Sequence, residues 1–176
     1  MKRENILMVI LVITIISAYI WIHTSNVREV SGFNQIVVND GGAYRLTITQ
    51  GDVESLRVDQ PTAKTEVINN TLYLKSNRNT HYYVTVKDLN SIELMGPVSG
   101  TVYLNNIKLN DLSIKANYAD IQLANITAKK LIINLSGGIL YESANQTINN
   151  LTIYKEGSIY KTYLNLVNSS IPYTDI

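Results

Sequence analysis

The side chains able to do chemistry are few and scattered. The chain of 176 residues has two histidines, His23 and His81, and no cysteine. This removes disulfides, thiolate metal sites and cysteine nucleophiles, and it leaves too few imidazoles for a histidine-rich metal centre. Glycoside hydrolysis would need two carboxylates across one groove, and calcium would need a cluster of them. Asp88, Glu93 and Asp111 are the acids that folding would have to bring together. No zinc-peptidase, serine-esterase, dinucleotide or phosphate-loop motif is present. The residue types that remain suit contact more than reaction. Tyr103, Tyr118, Tyr141, Tyr154, Tyr160 and Tyr163 stand among Asn, Ser and Thr, a mixture suited to sugar stacking or polar protein contacts. Gln50-Gly51-Asp52 reads as a tight turn between two strands.

Charge narrows the partners. Fifteen Lys and Arg against fourteen Asp and Glu leave a formal charge of +1. Without a basic surplus, nucleic acid is not an expected partner. The N-terminus points to a membrane instead. Lys2 and Arg3 precede Ile6–Ile22, where only Thr14 and Ser17 interrupt seventeen residues. As a helix this run would span about 26 Å, close to a hydrocarbon layer, with Tyr19, Trp21 and His23 at the interface. Ile16-Ser17-Ala18 also offers a small-residue cleavage site, but the apolar run continues past it. The expectation is an uncleaved single-pass anchor over 1–23 in the cytoplasmic membrane. The C-terminal part would then be periplasmic or extracellular.

Residues 24–31 read as a polar connector, and from Gly32 onward the pattern is short alternating segments. Ile36–Val38, Tyr44–Ile48, Leu56–Val58, Leu72–Leu74 and Tyr83–Val86 are bounded by turn formers such as Asn39-Asp-Gly-Gly42 and Asn69-Asn70. From Leu89 the segments repeat. Ile92/Leu94, Leu112/Ile114, Leu131/Ile133 and Leu151/Ile153 are spaced by 20, 19 and 20 residues. A period near twenty predicts an all-β parallel β-solenoid, about 20 residues per coil, over 32–168. A tail, 169–176, would close its end.

Asparagine follows the same period. Asn105, Asn125, Asn145 and Asn165 recur at twenty, and Asn90, Asn110 and Asn150 form a second series broken by Lys130. Coils about 4.8 Å apart would let equivalent amides ladder, and asparagine tolerates the left-handed backbone of tight corners. In this register Glu93 meets Ser113 and Ile132, Asp111 meets Lys130, and Asp120 meets Ile139 or Leu140. No acid pair results, so no catalytic, cofactor-binding or metal residue is assigned.

Val30-Ser-Gly-Phe-Asn-Gln-Ile36, Tyr44–Val58 with its Gln-Gly-Asp, Asn69–Leu74, Tyr83–Leu94 and Leu135-Ser-Gly-Gly138 occur in an order that resembles the head GIN domain family. That family is described as a "putative auto-transporter adhesin". The resemblance covers roughly residues 30–165. It implies a β-solenoid and adhesion, and it carries over no catalytic residue. After residue 90 there is no set of strands sufficient for an outer-membrane barrel. The expected function is non-catalytic, adhesin-like binding in the cell envelope, to a glycan or an envelope protein and without a cofactor. The alternatives are a carbohydrate-active β-helix enzyme, or a structural or regulatory envelope protein with a protein partner.

Overall fold

The computed structural model describes residues 27–76, 78–96, 100–142 and 146–156, together with Met8, Val12 and Thr14. Twelve strands follow one another: β1 (Val27–Glu29), β2 (Gln35–Val38), β3 (Tyr44–Gln50), β4 (Ser55–Val58), β5 (Lys64–Ile68), β6 (Thr71–Lys75), β7 (Thr80–Val86), β8 (Ser91–Leu94), β9 (Gly100–Asn117), β10 (Ala119–Ser136), β11 (Leu140–Glu142) and β12 (Thr147–Glu156). Alternation is what makes them strands. In β3 the side chains of Tyr44, Leu46 and Ile48 are buried, while those of Arg45, Thr47 and Thr49 face outward.

All-β is the class expected, but the topology corrects the parallel β-solenoid with an N-terminal transmembrane helix. One mixed sheet in the order β1-β4-β7-β3-β9-β8-β2-β6-β5, extended by β10, β11 and β12, curls into a half-barrel. Pairs β1/β4, β4/β7 and β5/β6 are antiparallel. The reason for one reversal is local. Asn69 and Asn70 have φ of 48° and 62°, and two successive left-handed residues make the tight turn that joins antiparallel strands. The expected connector over 24–31 also contains β1.

The long strands hold the curl together. One edge of β9 pairs first with β3 (Tyr44↔Gly100) and then with β8 (Ile92↔Ile114), while the other edge follows β10 along nearly its whole length. The strand must therefore bend. It does so at Asn106 (φ 55°), beside Asn125 (φ 54°) of β10. At this bend a set of amides closes the backbone. Gln50 Nε2 donates to Lys87 O (3.0 Å) and Lys108 O (3.1 Å), and Lys108 N donates to Gln50 Oε1 (2.8 Å). Asn125 Nδ2 donates to Asn106 Oδ1 at 2.9 Å. Buried Gln146 accepts from Ile126 N (2.8 Å) and donates to Leu123 O (2.9 Å). Amides stand at the corner, where asparagine tolerates the left-handed backbone; Asn125 belongs to the expected series, whereas Gln50, Asn106 and Gln146 stand outside it.

Three of the four aliphatic pairs lie side by side in parallel register: Leu112–Leu131–Leu151 and Ile114–Ile133–Ile153. The fourth is displaced, because Ile92 pairs with Ile114 and Leu94 with Ala116. The core fills the inside of the curl with Ile36, Leu46, Ile48, Leu56, Leu104 and Ile133, all fully buried.

Among the described residues no helix is long and apolar enough to cross a membrane. The single-pass anchor, and the cytoplasmic-membrane placement derived from it, are therefore corrected. Hydropathy reports how a run would partition if helical, and a span also needs a continuous hydrogen-bonded helix. Apart from Met8, Val12 and Thr14, segment 1–23 lies outside the described residues, as does the tail 169–176.

Asp40 is a buried carboxylate among these strands. Tyr82 Oη donates to its Oδ2 at 2.9 Å, and Ser76 N donates to its Oδ1 at 3.0 Å. Burial raises its pKa above the ordinary carboxylate range, against lowering by hydrogen bonds from Tyr82, Gly42, Ser76 and Gly41. A raised folded-state pKa contributes stability that is present below the unfolded value and is lost as pH rises through the folded value. The D40N variant should therefore gain on the parent chain in melting temperature as pH rises through that window. D40A should melt lower at every pH, because it orphans the Tyr82 hydroxyl and the Ser76 amide. Thermal melts from pH 4 to 8 check both.

Candidate functional site

The curl lines up outward-facing residues from strands far apart in sequence. Register pairs Tyr83 of β7 with Thr47 of β3, Thr47 with Tyr103 of β9, Tyr103 with Gln122 of β10, and Gln122 with Tyr141 of β11. Five adjacent strands thus carry aromatic, polar, aromatic, polar and aromatic side chains in one transverse row. Alternate positions of each strand are committed to the core. In the row immediately inside, Tyr82, Leu46, Val102, Ile121 and Leu140 are all buried, so period-two alternation forces their neighbours outward.

Two arginines border the row. The Arg57 guanidinium lies 4.2 Å from the Tyr83 ring centroid, and that of Arg45 lies 5.5 Å from the Tyr103 centroid. Both are cation–π distances. The His81 ring meets Tyr83 edge-on at 6.5 Å. Asp59 holds His81 from the far side, accepting from its backbone N at 2.8 Å and lying 3.9 Å from its Nδ1. The row forms one side of a groove of about 770 Å³, also lined by Arg45, Leu104, Asn105, Leu123 and Ala124.

Acids are placed elsewhere. Glu93 pairs with Lys115 in register and accepts from its Nζ at 2.9 Å, in place of the expected Ser113 and Ile132. Asp111 stands beside Lys130 as the spacing predicts. Asp120 accepts from Ile139 N at 3.0 Å, at the expected position. Among the described residues no carboxylate lines the groove, and no three His, Asp or Glu gather around one point. The groove can stack rings, donate hydrogen bonds and attract negative charge. Its described lining holds no carboxylate pair for acid–base hydrolysis.

The structure separates the tyrosines that the sequence grouped. Tyr103 and Tyr141 share the row. Tyr118 is 63% exposed at the β9–β10 junction, where its ring lies beside Gly137. Tyr154 pairs with Asn134, on the side of the sheet that carries Glu93 and Lys115. Tyr160 and Tyr163 lie outside the described residues.

The asparagines part in the same way. Asn105 pairs with Ala124, one position from the Asn106–Asn125 amide contact, because β9 and β10 are offset by 19 residues and not 20. Asn90 O accepts from Ser113 N at 2.9 Å. Asn110 falls between Leu109 and Asp111, which pair with Ala128 and Lys130. Asn150 pairs with Lys130, and its amide donates to Lys129 O at 3.4 Å. Asn145 and Asn165 lie outside the described residues. Sequence reasoning passed over Thr47, Gln122, Arg45 and Arg57 as site residues. Alternation marks each as outward-facing, but their neighbourhood depends on β3 inserting between β7 and β9.

Solved structures share this fold. A crystal structure described as a "putative lipid binding protein" from Parabacteroides distasonis aligns with a TM-score of 0.61 at 18% identity, covering 73% of this chain. The chain spans 61% of that protein's length. A "putative adhesin" from Bacteroides fragilis aligns with a TM-score of 0.60 at 18% identity, covering 85% of this chain and 92% of that one. No curated protein matches the chain. Residues 32–171 match the family described as "Putative auto-transporter adhesin, head GIN domain", and the chain belongs to that family.

Proposed function

We propose that the domain is a non-catalytic binding module that takes a glycan chain across the Tyr83–Thr47–Tyr103–Gln122–Tyr141 row. The observation that carries this reading is the alternation of aromatic and polar side chains on five paired strands. Tyrosine offers a flat apolar face to the C–H side of a sugar ring and a hydroxyl to its rim. Thr47 and Gln122 supply donors and acceptors between the rings, and Asn105, two residues along β9 from Tyr103, adds another on the groove wall. Each contact is weak, and a stiff sheet lets several act together without ordering anything new on binding. An adhesin-like role follows from such a surface, in keeping with the family description.

The test is a glycan array probed with the full chain, run beside sedimentation with phosphatidylcholine and phosphatidylglycerol vesicles. Retention on glycans, lost in a Tyr83→Ala/Tyr103→Ala/Tyr141→Ala variant that melts like the parent, is the expected result. Vesicle binding with an empty array would replace the glycan with a lipid.

A further inference from the structure

We infer that the ligand of this row is an extended, acidic, β-1,4-linked polysaccharide that runs across the strands, with a carboxylate of the chain seated at Arg45. The inference deepens the glycan reading and rests on it. Two independent observations, one of spacing and one of charge, select this class.

The spacing is set by the sheet. Neighbouring strands lie about 4.8 Å apart, so Tyr83, Tyr103 and Tyr141, on every second strand of the row, recur at about 9.6 Å. A β-1,4-linked pyranose advances about 5 Å per unit in an extended chain and turns over at each step, close to one strand spacing per sugar. Alternate sugars then present the same face to alternate strands. Tyrosines meet one set, and Thr47 and Gln122 meet the other. An α-1,4-linked chain of glucose-type sugars, joined axial to equatorial, coils and loses this match after one or two units. The row from Tyr83 to Tyr141 covers four strand intervals, about 19 Å, or roughly five sugars.

The charge is set by what borders the row. Arg45 and Arg57 are both exposed on this face, and neither forms an ion pair among the described residues. Two acids described beside the row are otherwise engaged, Asp59 with His81 and Asp120 with the Ile139 amide. Arg57 is stacked closely on Tyr83, whereas Arg45 lines the groove itself. A guanidinium held against an aromatic face keeps its planar fork free for a carboxylate.

Calorimetric titration of the full chain at low salt tests the class with three hexamers. These are β-1,4-linked mannuronate, cellohexaose (same linkage, no charge) and α-1,4-linked glucuronate (same charge, coiling linkage). Hexamannuronate is expected to bind at least about tenfold more tightly than either, and salt should erode the margin over cellohexaose. Arg45→Gln should remove that margin, bringing hexamannuronate down to the affinity the same variant shows for cellohexaose. Within the mannuronate series, affinity should climb to the pentamer and then level. Equal binding of hexamannuronate and cellohexaose overturns the acidic assignment, and equal binding of the two uronates overturns the linkage. Either result leaves the glycan reading standing. If no hexamer binds and the array is also empty, the glycan reading itself falls, which separates the two failures.

Discussion

Replacing Ile133 with Asp is expected to unfold the domain. Ile133 is fully buried and sits between Ile114 of β9 and Ile153 of β12 in the parallel register. An ionised carboxylate there would have aliphatic neighbours on both sides and no hydrogen-bond partner. A protonated one would still forfeit the transfer free energy of the isoleucine side chain. The combined cost, about 4–5 kcal/mol, is comparable with the whole stability of many domains. Ile132 provides the contrast. It is adjacent in β10 but faces outward, paired with Ser113 and Thr152. Ile132→Asp should cost no more than about 1 kcal/mol, within the range for surface positions of a strand. Urea titration followed by circular dichroism measures both. Similar midpoints for the two variants would show that the inward assignment of the β10 face is mistaken.

The second large effect is on binding. Tyr103 is the central aromatic of the row, flanked by Thr47 and Gln122 and capped by the Arg45 guanidinium. Truncating a central aromatic anchor costs about 2 kcal/mol, or roughly a thirtyfold loss of affinity. Tyr103→Ala should show that loss against any glycan the parent retains. Tyr103→Phe, which keeps the ring face, should lose far less. Tyr118→Ala serves as the control, because Tyr118 is more exposed yet stands apart from the row. If Tyr118→Ala weakens binding and Tyr103→Ala does not, the ligand occupies another face.

The strand content was legible because burial of alternate side chains leaves a period-two trace that needs no knowledge of neighbours. Leu46 and Ile48, or Leu131 and Ile133, announce which side of their strand faces the core wherever that strand pairs. The repeat near twenty was legible for a related reason. Equal path lengths round the curl bring Leu112, Leu131 and Leu151 together, so the spacing of aliphatics records the circumference. Asp111 beside Lys130 followed from the same count.

Register within one or two residues was not legible. The 19-residue offset between β9 and β10 places Asn106, and not Asn105, against Asn125, a difference decided by where the bend with positive φ falls. Likewise Ile92 meets Ile114 because the path that precedes β9 is longer by two residues. The hairpin at Asn69-Asn70 was visible as a turn. That it reverses the chain beside an otherwise parallel set depends on both residues taking left-handed conformations.

By itself, then, the order of residues determined an all-β chain with a repeating aliphatic interior, a nearly neutral surface and no cysteine chemistry. These are local or additive properties, set by side-chain type and period. Strand order, direction and the site were decided only by tertiary structure. Tyr83, Thr47 and Tyr103 become neighbours because β3 lies between β7 and β9, a pairing between segments far apart in the chain. Backbone hydrogen bonds are alike in every strand, so no single segment encodes its partner. The choice rests on how all the buried faces fit together at once.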